Sequence, residues 1–183
     1  MAKIMREAGL IGVEVEPKLQ PLSGEIFDYK TANKNDEARS DIKCTGIWKN
    51  MRQVYFDVKV VSPYARSNEQ KSTASLFTSA EKLKEREYKK RIRDVEHADF
   101  TPLVFTCAGG ITPKSRLVLK RLAELMSERQ NVHVSQVSGW LRVRLNFALL
   151  RTTILCCRGT RRKKYSNETV NTELAIKSAQ IKR

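Results

Sequence analysis

Apolar and polar side chains alternate along residues 55–61, Tyr55-Phe56-Asp57-Val58-Lys59-Val60-Val61. Successive side chains of a strand point to opposite faces, so Asp57 and Lys59 share one face and Phe56, Val58 and Val60 the other. A second β-type run, Arg39-Ser40-Asp41-Ile42, precedes it across a polar connection containing Lys49-Asn50-Met51-Arg52. In a hairpin, residues whose numbers sum to about 100 would lie opposite, setting Asp41 near Lys59 and within diagonal reach of Asp57.

The remaining pattern surrounds this pair with helices and further strands. Residues 1–10 suit a helix of barely two turns, stopped by Gly9 and Gly12, and Val13 to Glu16 alternate as a strand ended by Pro17. Residues 19–24 are turn-like, 25–29 suit a short strand or helix, and 31–37 form a polar loop. Residues 62–75 read as a loop, with Ser79 as the N-cap of a helix over 80–94 whose thin apolar stripe is Leu83, Tyr88 and Ile92. Phe100 to Cys107 is an apolar run of strand length, and Pro102 within it predicts a strand start or an edge position. Ala108-Gly109-Gly110 is a turn, and Thr112-Pro113 is a helix start. That helix runs to about Gln130, with Leu117, Leu119, Leu122, Leu125 and Met126 inward, and a longer one covers 135–158 before Gly159. The order predicts an α/β domain, a small mixed sheet flanked by helices, spanning residues 1–159 with its first helix truncated. Residues 160–183 are expected to form a basic, polar, disordered tail.

Composition changes the picture in one respect. The 183 residues carry 35 Lys plus Arg against 20 Asp plus Glu, a formal charge of +15. That excess favours a polyanionic partner, most simply nucleic acid, though it names no reaction. The four cysteines and two histidines offer no zinc-finger spacing; the cysteines read as reduced intracellular thiols in a nuclear or cytoplasmic protein. No apolar stretch has the length of a membrane span.

Two carboxylates with an ammonium beside them can hold a hard divalent cation and orient a water, the minimum equipment for metal-assisted phosphodiester hydrolysis. The same spacing also describes a solvated ion pair on the polar face of a strand. Other candidates divide the same way. Glu16 is a third acidic group or an ordinary strand residue. His97 is a general base or a structural hydrogen-bonding residue. Gly109-Gly110 before Thr112-Pro113 is a phosphate cradle or a plain tight turn. Lys82, Lys84, Arg86, Lys89, Lys90 and Arg91, with Arg161, Arg162, Lys163 and Lys164, are phosphate-contacting cations or a solvated helix and tail.

The order of elements, with Asp41 before Asp57-Val58-Lys59, resembles the core of the PD-(D/E)xK (restriction-endonuclease-like) nuclease superfamily. A longer resemblance runs over most of residues 10–160. It rests on Glu14 to Pro17, Leu19 to Glu25, Glu37 to Ile42, Gly46-Ile47-Trp48, Phe56 to Val60, Val95 to Phe105 and Cys157 to Arg161. These stretches are similar to an uncharacterised domain of mobile-element-derived animal proteins, where it commonly accompanies a reverse transcriptase region. The resemblance implies a Mg²⁺-dependent (or Mn²⁺-dependent) DNA endonuclease module, or a nucleic-acid-binding remnant that no longer cuts. By resemblance, Asp41, Asp57 and the backbone carbonyl of Val58 would hold the ion and Lys59 would serve the attacking water. The superfamily's first helix often adds an acidic side chain, for which Glu7 is the local candidate. The helix after the Asp-x-Lys strand, here with Glu81, Lys82, Glu85 and Tyr88, lends polar groups in several of its nucleases.

Overall fold

The central strand is buried on both sides along its first half, which explains why its neighbours are so apolar. In the computed structural model, which describes residues 1–20, 39–48 and 51–157, this is β3, Gln53–Val61. Val54, Tyr55, Phe56 and Asp57 are all buried there, so side chains of both parities need cover. Strand β1 (Ile11–Val15) pairs antiparallel with β2 (Ile42–Thr45), β2 pairs antiparallel with β3, and β3 pairs parallel with β4 (Asp99–Thr106). The result is a four-stranded mixed sheet in the order β1-β2-β3-β4, flanked by helices: an α/β fold. Pro102 lies on β4, a sheet edge, where a missing N–H costs no internal ladder bond.

The connection from β3 to β4 is helical, as a parallel pair requires. It comprises α2 (Thr73–Lys84), one π-helical stretch over Glu85–Lys89, and α3 (Lys90–Asp94). The N-cap is Ser72, whose side chain accepts from the Ser75 N–H at 3.2 Å, not Ser79. The helix therefore starts two turns earlier than the polar run suggested, because Leu76 and Ala80 have an apolar patch to cover. Helix α4 (Pro113–Gln130) starts as expected: Thr112 caps it and proline follows. Leu117 is 60% exposed, whereas Val118, Leu119, Leu122 and Met126 are buried. Helix α5 spans Val134–Cys157.

The chain divides into two units, Met1–Leu149 and Leu150–Arg183. Within the first, one face of the sheet packs Val54, Phe56 and Leu103 against Met5 of α1 (Ala2–Glu7), Leu122 of α4 and Leu141 of α5 in one continuous cluster. The opposite face carries two smaller clusters. One gathers Leu19, Tyr55, Ile92 and Ala98, the other Val61, Leu76, Ala80 and Val104. Among the described residues, no helix is long and apolar enough to cross a membrane. The expected elements at 25–29 and the basic tail lie outside the described residues.

Candidate functional site

The gap between those two small clusters is where the charged residues converge. Along β3 the same-face series runs Tyr55, Asp57, Lys59, Val61: apolar at each end, charged in the middle. The covering helix mirrors it in reverse, with Leu76 and Ala80, then Lys84, then Tyr88 and Ile92 at four-residue spacing. The charged centres meet, and the Lys84 ammonium lies 3.0 Å from Asp57 Oδ2. Asp57 is 4% exposed. Lys84 also reaches Glu87 at 3.2 Å and sits 5.2 Å from the centre of the Tyr88 ring. The π turn begins at the residue after Lys84; such local widenings recur at functional sites.

Asp41 joins from β2's leading end. Its Oδ2 accepts the Val58 N–H at 2.6 Å, so the carboxylate rests on the backbone between Asp57 and Lys59. Its own N–H donates to the Phe56 carbonyl and its carbonyl accepts from Glu16 N–H, while the buried Ser40 hydroxyl also donates to Phe56. Four hydrogen bonds thus hold this turn. The β2–β3 pairs, such as Ile42↔Phe56, have numbers summing to 98. Continued by one pair, that register brings Asp41 opposite Asp57 instead of the neighbourhood of Lys59. β2 ends at Thr45, and Gly46 leaves extended geometry at φ 94°, so the hairpin closes two residues short of the expected register. Lys59 is half-buried and, among the described residues, its ammonium has no ion-pair or hydrogen-bond partner.

Burial and charge pairing together set the electrostatics of this gap. Burial raises the Asp57 pKa above its ordinary value; Lys84 opposes this, and the Asp41 and Glu87 charges add to it. Burial alone would lower the Lys84 pKa, yet the Asp57 and Glu87 carboxylates raise it overall. Both groups hold protons more tightly than usual, Asp57 because burial outweighs the Lys84 ammonium and Lys84 because its carboxylate neighbours outweigh burial. Asp57 Oδ2 is buried and, despite the nearby ammonium, receives no well-directed hydrogen bond. Two neighbouring carboxylates are the donor type that a hard cation such as magnesium, keeping most of its waters, would accept, although the Lys84 ammonium already pairs with one of them. Among the described residues no group of three or more His, Cys, Asp and Glu gathers as metal ligands.

Other candidates are placed elsewhere. Glu16 is exposed and its carboxylate meets Arg39 at 3.7 Å, away from Asp57. Glu7 is bound by the Arg144 guanidinium of α5 through two hydrogen bonds, which also holds its carboxyl below the usual range. His97 is an exposed turn residue at φ 50°, whose carbonyl accepts from Arg52. Gly109 adopts φ 88°, and the Gly110 N–H is taken by Thr106 Oγ1 at 2.7 Å, so this segment forms a tight turn between β4 and α4. Glu81 and Glu85 turn to Lys114 of α4. Of the six helix cations, Lys82, Arg86, Lys89 and Lys90 are exposed. Lys84 and Arg91 are not: Lys84 turns to Asp57, and Arg91 is 5% exposed with its Nε donating to the Gln20 carbonyl at 3.0 Å. A basic run hid these two, since a long side chain on the inner face looks identical in sequence to one in water. The four-residue series from Leu76 to Ile92 was the available signal for Lys84. Arg161, Arg162, Lys163 and Lys164 lie outside the described residues.

No family model matches the chain, and no curated protein matches it.

Proposed function

We propose that the protein is a metal-dependent endonuclease-like module derived from a mobile element, hydrolysing DNA phosphodiester bonds. The observation that carries this reading is the meeting of Asp41, Asp57 and Lys84 in the gap between two apolar clusters, with Lys59 two residues along the same strand face. The PD-(D/E)xK resemblance and the charge of +15 support it. Asp41, Asp57 and the Val58 carbonyl would hold Mg²⁺ or Mn²⁺, which when bound supplies a more acidic water and neutralises charge on the phosphate. Lys59 orients that water and offsets charge developing on the phosphoryl oxygens. Lys84 holds Asp57 in place and keeps the buried carboxylate ionised. The exposed Lys82, Arg86, Lys89 and Lys90 neutralise flanking phosphates, which gives steep salt dependence without sequence readout. A nucleic-acid partner places this work in the nucleus or cytoplasm.

A second reading is a module that binds nucleic acid without cutting it. It is favoured by Lys84, which occupies one face of Asp57 where a cation would sit. The test is nicking of supercoiled plasmid by purified protein with Mg²⁺, Mn²⁺ or Ca²⁺. Cleavage is expected with the first two and to vanish in Asp57→Ala, where raised metal concentration partly rescues it. Lys59→Ala should lower cleavage steeply with no rescue by metal, because the ion stays bound while the water loses its positioning group. Salt-sensitive DNA binding with no cleavage under any metal would replace the first reading by the second.

A further inference from the structure

At the leading end of β4, on the edge of the sheet, a cleft of about 290 Å³ opens between two aromatic rings and two cations. Trp48 and Phe100 line it, together with Lys89, Arg93 and Asp99. Trp48 is half-buried, packed on the main core and lining the cleft with the remainder of its ring. Phe100 is fixed from behind by Tyr88, ring centres 5.6 Å apart. Asp99 is held by Arg52, whose guanidinium lies 3.4 Å from its Oδ1. The trailing half of β4 is closed on its outer side by Gly110, Thr112 and Ser115, so the cleft sits at the strand's leading end.

Each of these parts matches one part of a nucleotide. Aromatic faces take the faces of bases, with little regard to which base, and cations take the phosphates. A carboxylate repels phosphate but accepts hydrogen bonds from an exocyclic amino group such as that of cytosine. A purely apolar ligand would leave Lys89 unused and would leave Arg93 and Asp99 to Asp94 and Arg52, their partners at 2.8 and 3.4 Å, and a bare phosphate would leave both rings unused. The cleft is also linked to the carboxylates by touching groups: Phe100 to Tyr88, Tyr88 to Lys84 at 5.2 Å, and Lys84 to Asp57 at 3.0 Å.

We infer that this cleft binds an unpaired nucleobase of a nucleic-acid strand, stacked against Trp48 and Phe100, with the adjoining phosphates on Lys89 and Arg93. The inference rests on the nucleic-acid reading above and extends it: the substrate is single-stranded or locally opened beside the point of attack. The base goes inward because Asp99 repels the phosphate and welcomes an amino group, so oligo-dC should be held more tightly than oligo-dT.

The chain's two tryptophans make the test direct. In Trp140→Phe, Trp48 is the sole indole, and its fluorescence reports the cleft. A single-stranded oligodeoxynucleotide should bind and quench it, whereas an abasic strand of equal length should bind through its phosphates without quenching. Trp48→Leu should weaken binding of the base-bearing strand about tenfold and leave the abasic strand unchanged. Trp48→Phe keeps a stacking face and should recover most of the loss, which separates stacking from a folding defect. Lys89→Ala and Arg93→Ala should weaken both strands alike, each lowering the salt slope by about one unit. Binding of the base-bearing strand with no change in Trp48 emission, or equal losses for both strands in Trp48→Leu, overturns the inference and leaves the nucleic-acid reading standing. No binding of either strand while duplex DNA is still bound at low salt overturns the inference alone, and no binding of duplex either overturns both.

Discussion

The two faces of the sheet solve the same packing problem differently. The face under α1, α4 and α5 is covered by one unbroken apolar cluster, in which Phe56, Ile47, Leu122 and Met126 are almost wholly removed from water. The face under α2 and α3 is interrupted midway by a buried carboxylate, a half-buried lysine and the Lys84 ammonium. Burying charge costs free energy that apolar side chains of similar volume would not. This fold tolerates the interruption on one face while filling the other completely, so the charged face is held at a cost in stability that the apolar face does not carry.

The largest expected effects come from breaking the filled face. Phe56→Ala should lower unfolding free energy by roughly 3–5 kcal/mol, measured by urea titration, because the ring is completely buried and its site cannot collapse. A loss below about 1 kcal/mol would show that this face is looser than the packing implies. On the interrupted face, Lys84→Met should cost about 3 kcal/mol, since it strands Asp57 in low dielectric, and millimolar Mg²⁺ should restore part of the loss. Replacing both partners, Asp57→Leu with Lys84→Met, should be neutral or stabilising by about 1–4 kcal/mol while abolishing any cleavage. That outcome would convert the second face into a copy of the first.

A subtler contrast is the pH dependence. Because the folded-state pKa of Asp57 is raised, the folded protein binds a proton more tightly there than the unfolded chain. Its contribution to stability is present in full below the ordinary carboxylate pKa and is lost as pH rises through the raised value. Asp57→Asn should remove that decline, read as a flatter plot of melting temperature against pH from the ordinary carboxylate range upward. The smallest effect belongs to the rim: Glu14→Ala, which breaks the 2.9 Å pair with Lys43, should change stability by no more than about 1 kcal/mol.

Period-two alternation made the strand around Asp57 legible, along with the face it shares with Lys59, because pleat geometry leaves no third choice. Pro102 pointed to a strand start or an edge, of which the sheet order gives the edge, and Thr112-Pro113 marked the start of α4, since both signals act through the local backbone. The charged gap was half visible: Asp41, Asp57 and Lys59 stood out, but Lys84 stood among basic neighbours, and Arg91 likewise. Whether a lysine faces water or a carboxylate depends on what the helix lies across, and that is settled by chain segments far away in sequence. The same holds for Glu7, drawn to Arg144, for Ser72 displacing Ser79 as the cap, and for the cleft that gathers Trp48 with Phe100. The sequence by itself determined the strand faces, the net positive charge and the pair of acidic residues. Only the tertiary structure decided which cation those acids meet, because that choice is made by the packing of a helix whose own pattern admits several orientations.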